Sequence, residues 1–368
     1  MQKTIVSIVG ARPNFMKLAP VDAALNTRGG FRHLIVHTGQ HYDYEMSKVF
    51  FEELAIPEPH HHLDVGSGPH GEQTGKALTA IERVLMAVKP ALVLVYGDVN
   101  STLAGALAAV KLHIPVGHVE AGFRSFDLSM PEEVNRKVAD CVSDWLFTSH
   151  PVCDENLVRE GAPRDRIFMV GDTLIDSLQS ALGRIRALDT PARMGLRDGE
   201  YVVVTLHRPS NVDDRQSLAA IIAALGEAAR TIPIVFPVHP RTRARLREWF
   251  PDAFAGESGK GGGPMLTDPL GYTQFIRLIL GSRAVLTDSG GVQRETSFLG
   301  VPCLTLRETT ELTYTTIEGT NRLIGKRPDA IADSIRAALA GGRPAVRPIA
   351  GFDGHAADRI AAILAERL

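Results

Sequence analysis

Short apolar, β-branched runs alternate with longer amphipathic stretches along almost the whole chain, and that alternation admits few architectures. Thr4–Val9, His33–His37, Ala91–Val95, Ile114–Gly117, Trp145–Phe147 and Ile167–Val170 read as strands. A second series follows at Tyr201–Thr205, Ile232–Phe236, Met265–Thr267, Ala284–Thr287 and Pro302–Leu306. Helical stretches lie between them; in Glu72–Val88, Leu78, Ile81, Leu85 and Val88 share one face. Helices over Ala332–Ala340 and His355–Arg367 close the chain. Repeated β-α-β order predicts an α/β fold of parallel sheets with helices on both faces.

A chain of 368 residues exceeds what one core usually organises, so two domains are expected. The stretch between Gly171 and Glu200 mixes charge, Gly and Pro ahead of a fresh strand series. We place one Rossmann-like domain at 1–171 and a second at 172–353, their sheets facing a central cleft. The closing helix, about 354–368, is free to return onto the first domain. Gly256–Gly263 reads as a flexible surface loop; its Gly259-Lys260 lacks the Ser or Thr of a P-loop.

With 40 basic and 42 acidic residues, the net charge of −2 argues against a nucleic-acid coat or a polybasic membrane anchor. The three cysteines, Cys141, Cys153 and Cys303, form no CxxC pair, so neither a disulfide framework nor a zinc knuckle is expected. The first apolar run is short and Arg12-Pro13 follows without a small-residue cleavage site, so no signal peptide is read there. No apolar stretch is long enough to cross a bilayer, and a cytoplasmic protein is expected.

In open parallel sheets, ligands bind where strands reach their carboxyl ends. Unusual polar residues fall at those places here. Strand one ends in Gly10-Ala11-Arg12-Pro13 with Lys17 a turn later, and strand two in His37-Thr38-Gly39-Gln40-His41. Others end in Tyr96-Gly97-Asp98 and Gly117-His118-Val119-Glu120-Ala121-Gly122. In the second half, His207-Arg208, His239 and Asp288-Ser289-Gly290-Gly291 follow strands in the same way. The last segment suits an anion cradle at a helix start, with Glu295 a turn inward, but equally a helix capped by Asp288 or Ser289. Asp98, Glu120, Glu132-Glu133, Arg12, Lys17, Arg136 and His207 make a mixed acid, base and cation set suited to proton transfer beside a departing diphosphate. For Glu132 and Glu133, plain complementation of a helix dipole explains the pattern as well.

Three motifs mislead. Gly66-Ser67-Gly68-Pro69-His70-Gly71 matches a dinucleotide fingerprint, but Pro69 removes an N–H and no buried strand is read before it. His60-His61-His62 reads as a solvated loop rather than a metal site, since no second pair completes a tetrahedron. Ser101 and Ser289 sit in no Gly-x-Ser-x-Gly elbow.

Together these motifs resemble the non-hydrolysing UDP-N-acetylglucosamine 2-epimerases, which share the two-domain GT-B fold. The resemblance runs from Gly10-Ala-Arg-Pro-Asn-Phe-Met-Lys17 through Tyr96–Thr102, Gly117–Gly122, Met130–Arg136 and Thr287–Gln293 to Gly319-Thr-Asn321. It implies reversible inversion at C2 of a UDP-linked 2-acetamido sugar: UDP leaves by anti elimination to a glycal and then re-adds. No cofactor and no metal are implied; the partner is a UDP-sugar, and the assembly a homodimer. By resemblance, Asp98, Glu120 and Glu132 move protons or stabilise the cationic transition state. His207 and Arg136 stand beside the departing diphosphate, and Arg12 and Lys17 close over the nucleotide. Ser289, Gly290 and Gly291 hold phosphates, Glu295 the ribose, and Phe275 the uracil neighbourhood. Gln40, His41, Arg208 and His239 resemble positions where some bacterial members bind a second, activating substrate molecule.

One departure stands out. The family usually reads Thr-Glu-Arg-Pro after the last strand, with the Arg contacting the nucleotide, and here the segment is Thr310-Glu311-Leu312-Thr313. Relatives acting on diacetamido uronic acid nucleotides share other motifs of this chain. A GT-B glycosyltransferase, a hydrolysing epimerase and a non-catalytic UDP-sugar sensor are the competing readings.

Overall fold

The computed structural model describes residues 2–39, 56–251, 263–325, 327–345 and 347–368. Gln40 and His41, and most of the glycine-rich loop expected at 256–263, lie outside them. The chain divides into two compact units, 1–181 with 350–368, and 182–349.

The first unit holds a seven-stranded sheet: β1 Lys3–Val9, β2 Phe31–His37, β3 His61–His62, β4 Leu92–Tyr96, β5 Val116–Ala121, β6 Trp145–Thr148 and β7 Ile167–Met169. Its order is β3-β2-β1-β4-β5-β6-β7, and every pairing is parallel. The second unit holds β8 Val202–Thr205, β9 Ile234–Pro237, β10 Met265–Thr267, β11 Ala284–Thr287, β12 Cys303–Thr305 and β13 Asn321–Leu323. They run in the order β10-β9-β8-β11-β12-β13, again all parallel. Central strands buried on both faces must be apolar almost throughout, and Leu92–Tyr96 is buried at every position.

The expected strands are present with boundary shifts of one or two residues, except that the strand expected at Ile114–Gly117 runs on to Ala121. Two short ones escaped the pattern. His61-His62 is not a solvated loop but an edge strand on β2, and His60 Nδ1 accepts the Ile35 N–H at 3.1 Å. Asn321–Leu323 adds a last strand to the second sheet. Both are too short and too polar for a period-2 signal.

The helix His70–Val88 buries Ala77, Ile81 and Leu85, a spacing of one turn each. The residues that follow Gly171 belong to the first unit, which runs to Ala181. There, Ser177 Oγ donates to the Met16 carbonyl at 2.5 Å, and Ile175 and Leu178 are fully buried. The closing helix Ala356–Arg367 belongs to the first unit, where Ala357, Ile360, Ala361 and Leu364 join the core of Ile5, Leu18 and Leu92. Its start is held by Asp176, whose carboxylate accepts the N–H groups of Ala356 and Ala357 at 3.2 and 2.7 Å.

Asp176→Ala leaves those two N–H groups unmet, so it is expected to cost about 1–2 kcal/mol. Urea melts and faster amide exchange at Ala356 and Ala357 check this. Burial also pushes the Asp176 carboxyl up to about 6, against the two donating N–H groups. An acid held above its unfolded value of about 4 binds more protons folded than unfolded between those pH values. Its contribution to stability is therefore full below pH about 4 and declines as pH rises to about 6. Asp176→Asn is expected to flatten that part of the stability curve, and an unchanged slope in pH-stepped melts contradicts the assignment.

Candidate functional site

A parallel sheet whose strand order reverses opens a crevice where the two central strands end, because their following helices go to opposite faces. In the first unit that point lies between β1 and β4, and in the second between β8 and β11. The loops leaving these four strands carry Arg12, Asp98, His207-Arg208 and Asp288–Gly291. By contrast, the GxGxxG segment follows β3 at the sheet edge, where Gly66 accepts a hydrogen bond from Gln73 at 2.8 Å. It is not at the reversal, and a dinucleotide reading has no support there.

In the first unit, Asn14 ties the reversal together. Its Oδ1 accepts the N–H groups of Gly10 and Ala11 at 3.2 and 3.1 Å, and its Nδ2 donates to the Tyr96 carbonyl at 2.8 Å. Arg12 opens the helix Arg12–Arg28, and Lys17 follows on it. Lys17 Nζ pairs with Glu120 Oε2, both groups almost wholly buried. Gly97 lies against this pair with φ of 64°; a Cβ there would stand 2.6 Å from Lys17 Nζ and 3.1 Å from Glu120 Oε2. The left-handed conformation favours glycine, and a Cβ would push against the Lys17–Glu120 pair.

Glu120 itself has a positive φ of 75°, at the point where β5 slips register against β6. A non-glycine residue in that region costs of order 1–3 kcal/mol and is held only by its surroundings. Asp98 carries a cation too: Arg136 Nη2 sits 2.5 Å from its Oδ2, while Arg136 Nη1 reaches Glu133 at 2.9 Å. Asn135 Nδ2 donates to the Asp98 carbonyl at 2.9 Å.

The helix Pro131–Val142 thus brings Asn135 and Arg136 to Asp98 from its buried side. Glu132 is exposed at its first turn. Its neighbour Glu133 is fully buried and accepts from Ser125 N, Ser125 Oγ and Phe126 N at 2.9–3.0 Å as well as from Arg136. Which of two adjacent carboxylates turns inward was not legible in the sequence.

In the second unit, the cap reading of Asp288 gives way. Asp288 is fully buried and accepts the N–H groups of His207 and Arg208 at 3.1 and 2.9 Å, with Asn211 Nδ2 at 3.0 Å. His207 Nδ1 lies 3.0 Å from Asp288 Oδ1. Burial alone would raise the Asp288 carboxyl, but the hydrogen bond and charge of His207, with Arg208 and Asn211, hold it below its ordinary range. With Nδ1 committed to Asp288, Nε2 is the His207 nitrogen left to face a ligand. His207 also packs on His239, ring centroids 5.5 Å apart.

Ser289 is the N-cap residue of the helix Gly290–Leu299, yet its side chain makes no capping bond. Neither expected cap closes the helix start, and Ser289, Gly290 and Gly291 are half-exposed. Such an end, with its N–H groups and positive dipole, suits a phosphate. Glu295 is buried on the same helix, and Phe275 is half-buried on Tyr272–Gly281. Leu312 is buried beside Gly290: a Cβ on Gly290 would lie 3.6 Å from Leu312 Cδ1 and 3.1 Å from Glu311 Oε1. Glu311 in turn pairs with Arg307 at 2.6 Å and Arg208 at 3.8 Å. Arg208 is half-buried, and His239 is exposed at the start of Pro240–Trp249.

Among the described residues no group of His, Cys, Asp and Glu could hold a metal ion, and no helix is long and apolar enough to cross a membrane. One chain of residues imitates a hydrolase triad: Asp22 Oδ1 lies 2.6 Å from His33 Nδ1, and Ser7 Oγ 2.8 Å from His33 Nε2. Ser7 is fully buried inside β1 with Tyr96 OH at 2.8 Å, so no substrate reaches it.

A family model described as UDP-N-acetylglucosamine 2-epimerase matches residues 23–365. A UDP-N-acetylglucosamine 2-epimerase homolog of Methanococcus maripaludis is 47% identical over 338 residues, covering 90% of this chain and 91% of its own. The UDP-2,3-diacetamido-2,3-dideoxy-D-glucuronate 2-epimerase of Pseudomonas aeruginosa is 45% identical, with 91% and 92% covered. The crystal structure of Methanocaldococcus jannaschii UDP-GlcNAc 2-epimerase in complex with UDP-GlcNAc and UDP matches with a TM-score of 0.90 and 39% identity, covering 100% of both chains. This chain belongs to the UDP-N-acetylglucosamine 2-epimerase family.

Proposed function

We propose that the protein interconverts UDP-N-acetylglucosamine and UDP-N-acetylmannosamine. The observation that carries this reading is the pairing in the first unit: Asp98 and Glu120 end adjacent strands, each held by a cation, Arg136 and Lys17. A reaction that takes a proton from one face of a carbon and returns one to the other needs more than one carboxylate, in fixed positions.

The chemistry explains the rest. The C2–H bond has no adjacent carbonyl to acidify it, so the diphosphate departs as the proton is lost. The C1–O bond breaks with its electron pair going to the β-phosphate oxygen, the C2–H pair becomes the C1=C2 bond, and the proton passes to a carboxylate. UDP then re-adds at C1 while a proton reaches C2 from the opposite face. No hydride changes hands in these steps. Charge grows on the leaving oxygen, and the open start of Gly290–Leu299 with His207 is suited to hold it. Asp98, Glu120 and Glu132 are assigned the proton-handling roles, Arg136 and Lys17 the cations beside them, Arg12 the nucleotide's phosphates, and Glu295 and Phe275 the ribose and uracil.

A second reading keeps the reaction and changes the sugar. The diacetamido uronate epimerase of Pseudomonas aeruginosa is 45% identical, and Leu312 stands beside the candidate phosphate cradle without a charge. NMR product analysis with both UDP-sugars separates the two: turnover confined to the uronate overturns the first reading.

Incubation with UDP-N-acetylglucosamine in deuterated water is expected to give both isomers with deuterium at C2. Epimer that retains protium contradicts the mechanism. Asp98→Asn is expected to lower kcat by about 100-fold or more while UDP affinity, measured by calorimetry, stays within about threefold. Normal turnover in that variant removes Asp98 from the catalytic set.

A further inference from the structure

His118 lies on β5 in register with Val95 of β4 and is fully buried. Its Nδ1 stands 2.6 Å from Asp140 Oδ1, and its Nε2 stands 2.7 Å from the Gly97 carbonyl oxygen. Asp140 comes from the helix Pro131–Val142 and is itself buried. Its other oxygen accepts the Gly122 N–H at 3.1 Å and faces Arg124 Nη1 at 2.7 Å. Arg124 continues to Glu160, and Glu160 to Lys137.

The hydrogen count of the ring follows from these partners. The Asp140 carboxylate faces the buried Arg124 guanidinium and accepts the Gly122 N–H, so it is ionised and can only accept. The Gly97 carbonyl can only accept as well. Both ring nitrogens must therefore carry hydrogen. A neutral ring would set a lone pair against one of two buried acceptors, at the cost of an unmet polar contact.

The consequence lies at the two strand ends. Gly97 precedes Asp98 and presses on the Lys17–Glu120 pair, and its carbonyl is fixed by His118. Glu120, with its positive φ, stands between His118 and Gly122, and both are bonded to Asp140. One buried pair thus sets the position of both Asp98 and Glu120. We propose that His118 is a positioning residue that donates from both ring nitrogens, which with Asp140 fixes the spacing of the two carboxylates and itself exchanges no proton with substrate.

That role rests on the epimerase reading, but the hydrogen count does not. Histidine-selective 15N NMR of the ligand-free protein at neutral pH is expected to show N–H at both His118 ring nitrogens. A nitrogen without hydrogen overturns the proposal, whatever the enzyme does. In His118→Asn the amide keeps a donor for Asp140 but does not reach Gly97. In His118→Gln it reaches Gly97 and gives up Asp140. Displacement of reacting groups by about 1 Å costs about 100-fold in rate, so kcat on UDP-N-acetylglucosamine is expected to fall about 100-fold in each variant, with KM within about threefold. Unchanged kcat in a folded variant, or a rise in KM alone, overturns the positioning role. If the wild-type protein leaves that substrate unchanged, the substrate reading fails, and the NMR result still decides the state of His118.

Discussion

Where the order of a parallel sheet reverses, the connections leaving its two central strands part company, and no main chain fills the gap between them. Each unit of this protein has one such place. At the first, β1 and β4 release Gly10–Arg12 and Gly97-Asp98; at the second, β8 and β11 release His207-Arg208 and Asp288–Gly291. The rest of the site follows from filling these gaps with polar groups that the surrounding apolar strands cannot satisfy.

The two units solve that problem differently. The first buries formal charges and pairs them: Lys17 with Glu120, Arg136 with Asp98 and Glu133, and Arg124 with Asp140. Taking ions out of water costs several kcal/mol each, and pairing at best roughly restores it, so these contacts serve position more than stability. The second unit buries one carboxylate, Asp288, and spends it on the His207-Arg208 turn, leaving the helix start at Gly290 without a side-chain cap. One unit is shaped around fixed carboxylates, the other around an open set of N–H donors.

Much of this was legible in the residues. The strand runs from Thr4 to Leu306 are apolar enough to announce buried parallel strands, and the polar residues that follow them mark the carboxyl ends. What escaped were features decided by tertiary contacts. His61-His62 and Asn321–Leu323 pair as strands because a neighbouring edge needs a partner, not because their own pattern demands it. Glu132 and Glu133 are equivalent in sequence, and only the Ser125-Phe126 turn determines which one is buried. Asp288 sits where a cap belongs, but its bonds run across the sheet to residue 207, eighty-odd positions away. His118 lay in plain sight within Gly117–Gly122; nothing local revealed that its ring faces two acceptors.

Departure of the diphosphate gives the open helix start and the paired carboxylates their task. Oxygen-18 placed in the bridge between C1 and the β-phosphate of UDP-N-acetylglucosamine tests this directly, followed by phosphorus NMR of recovered substrate. If UDP leaves and returns, the label migrates into the non-bridging positions of the β-phosphate as the epimer accumulates. Epimer formed while the label stays in the bridge would contradict the account.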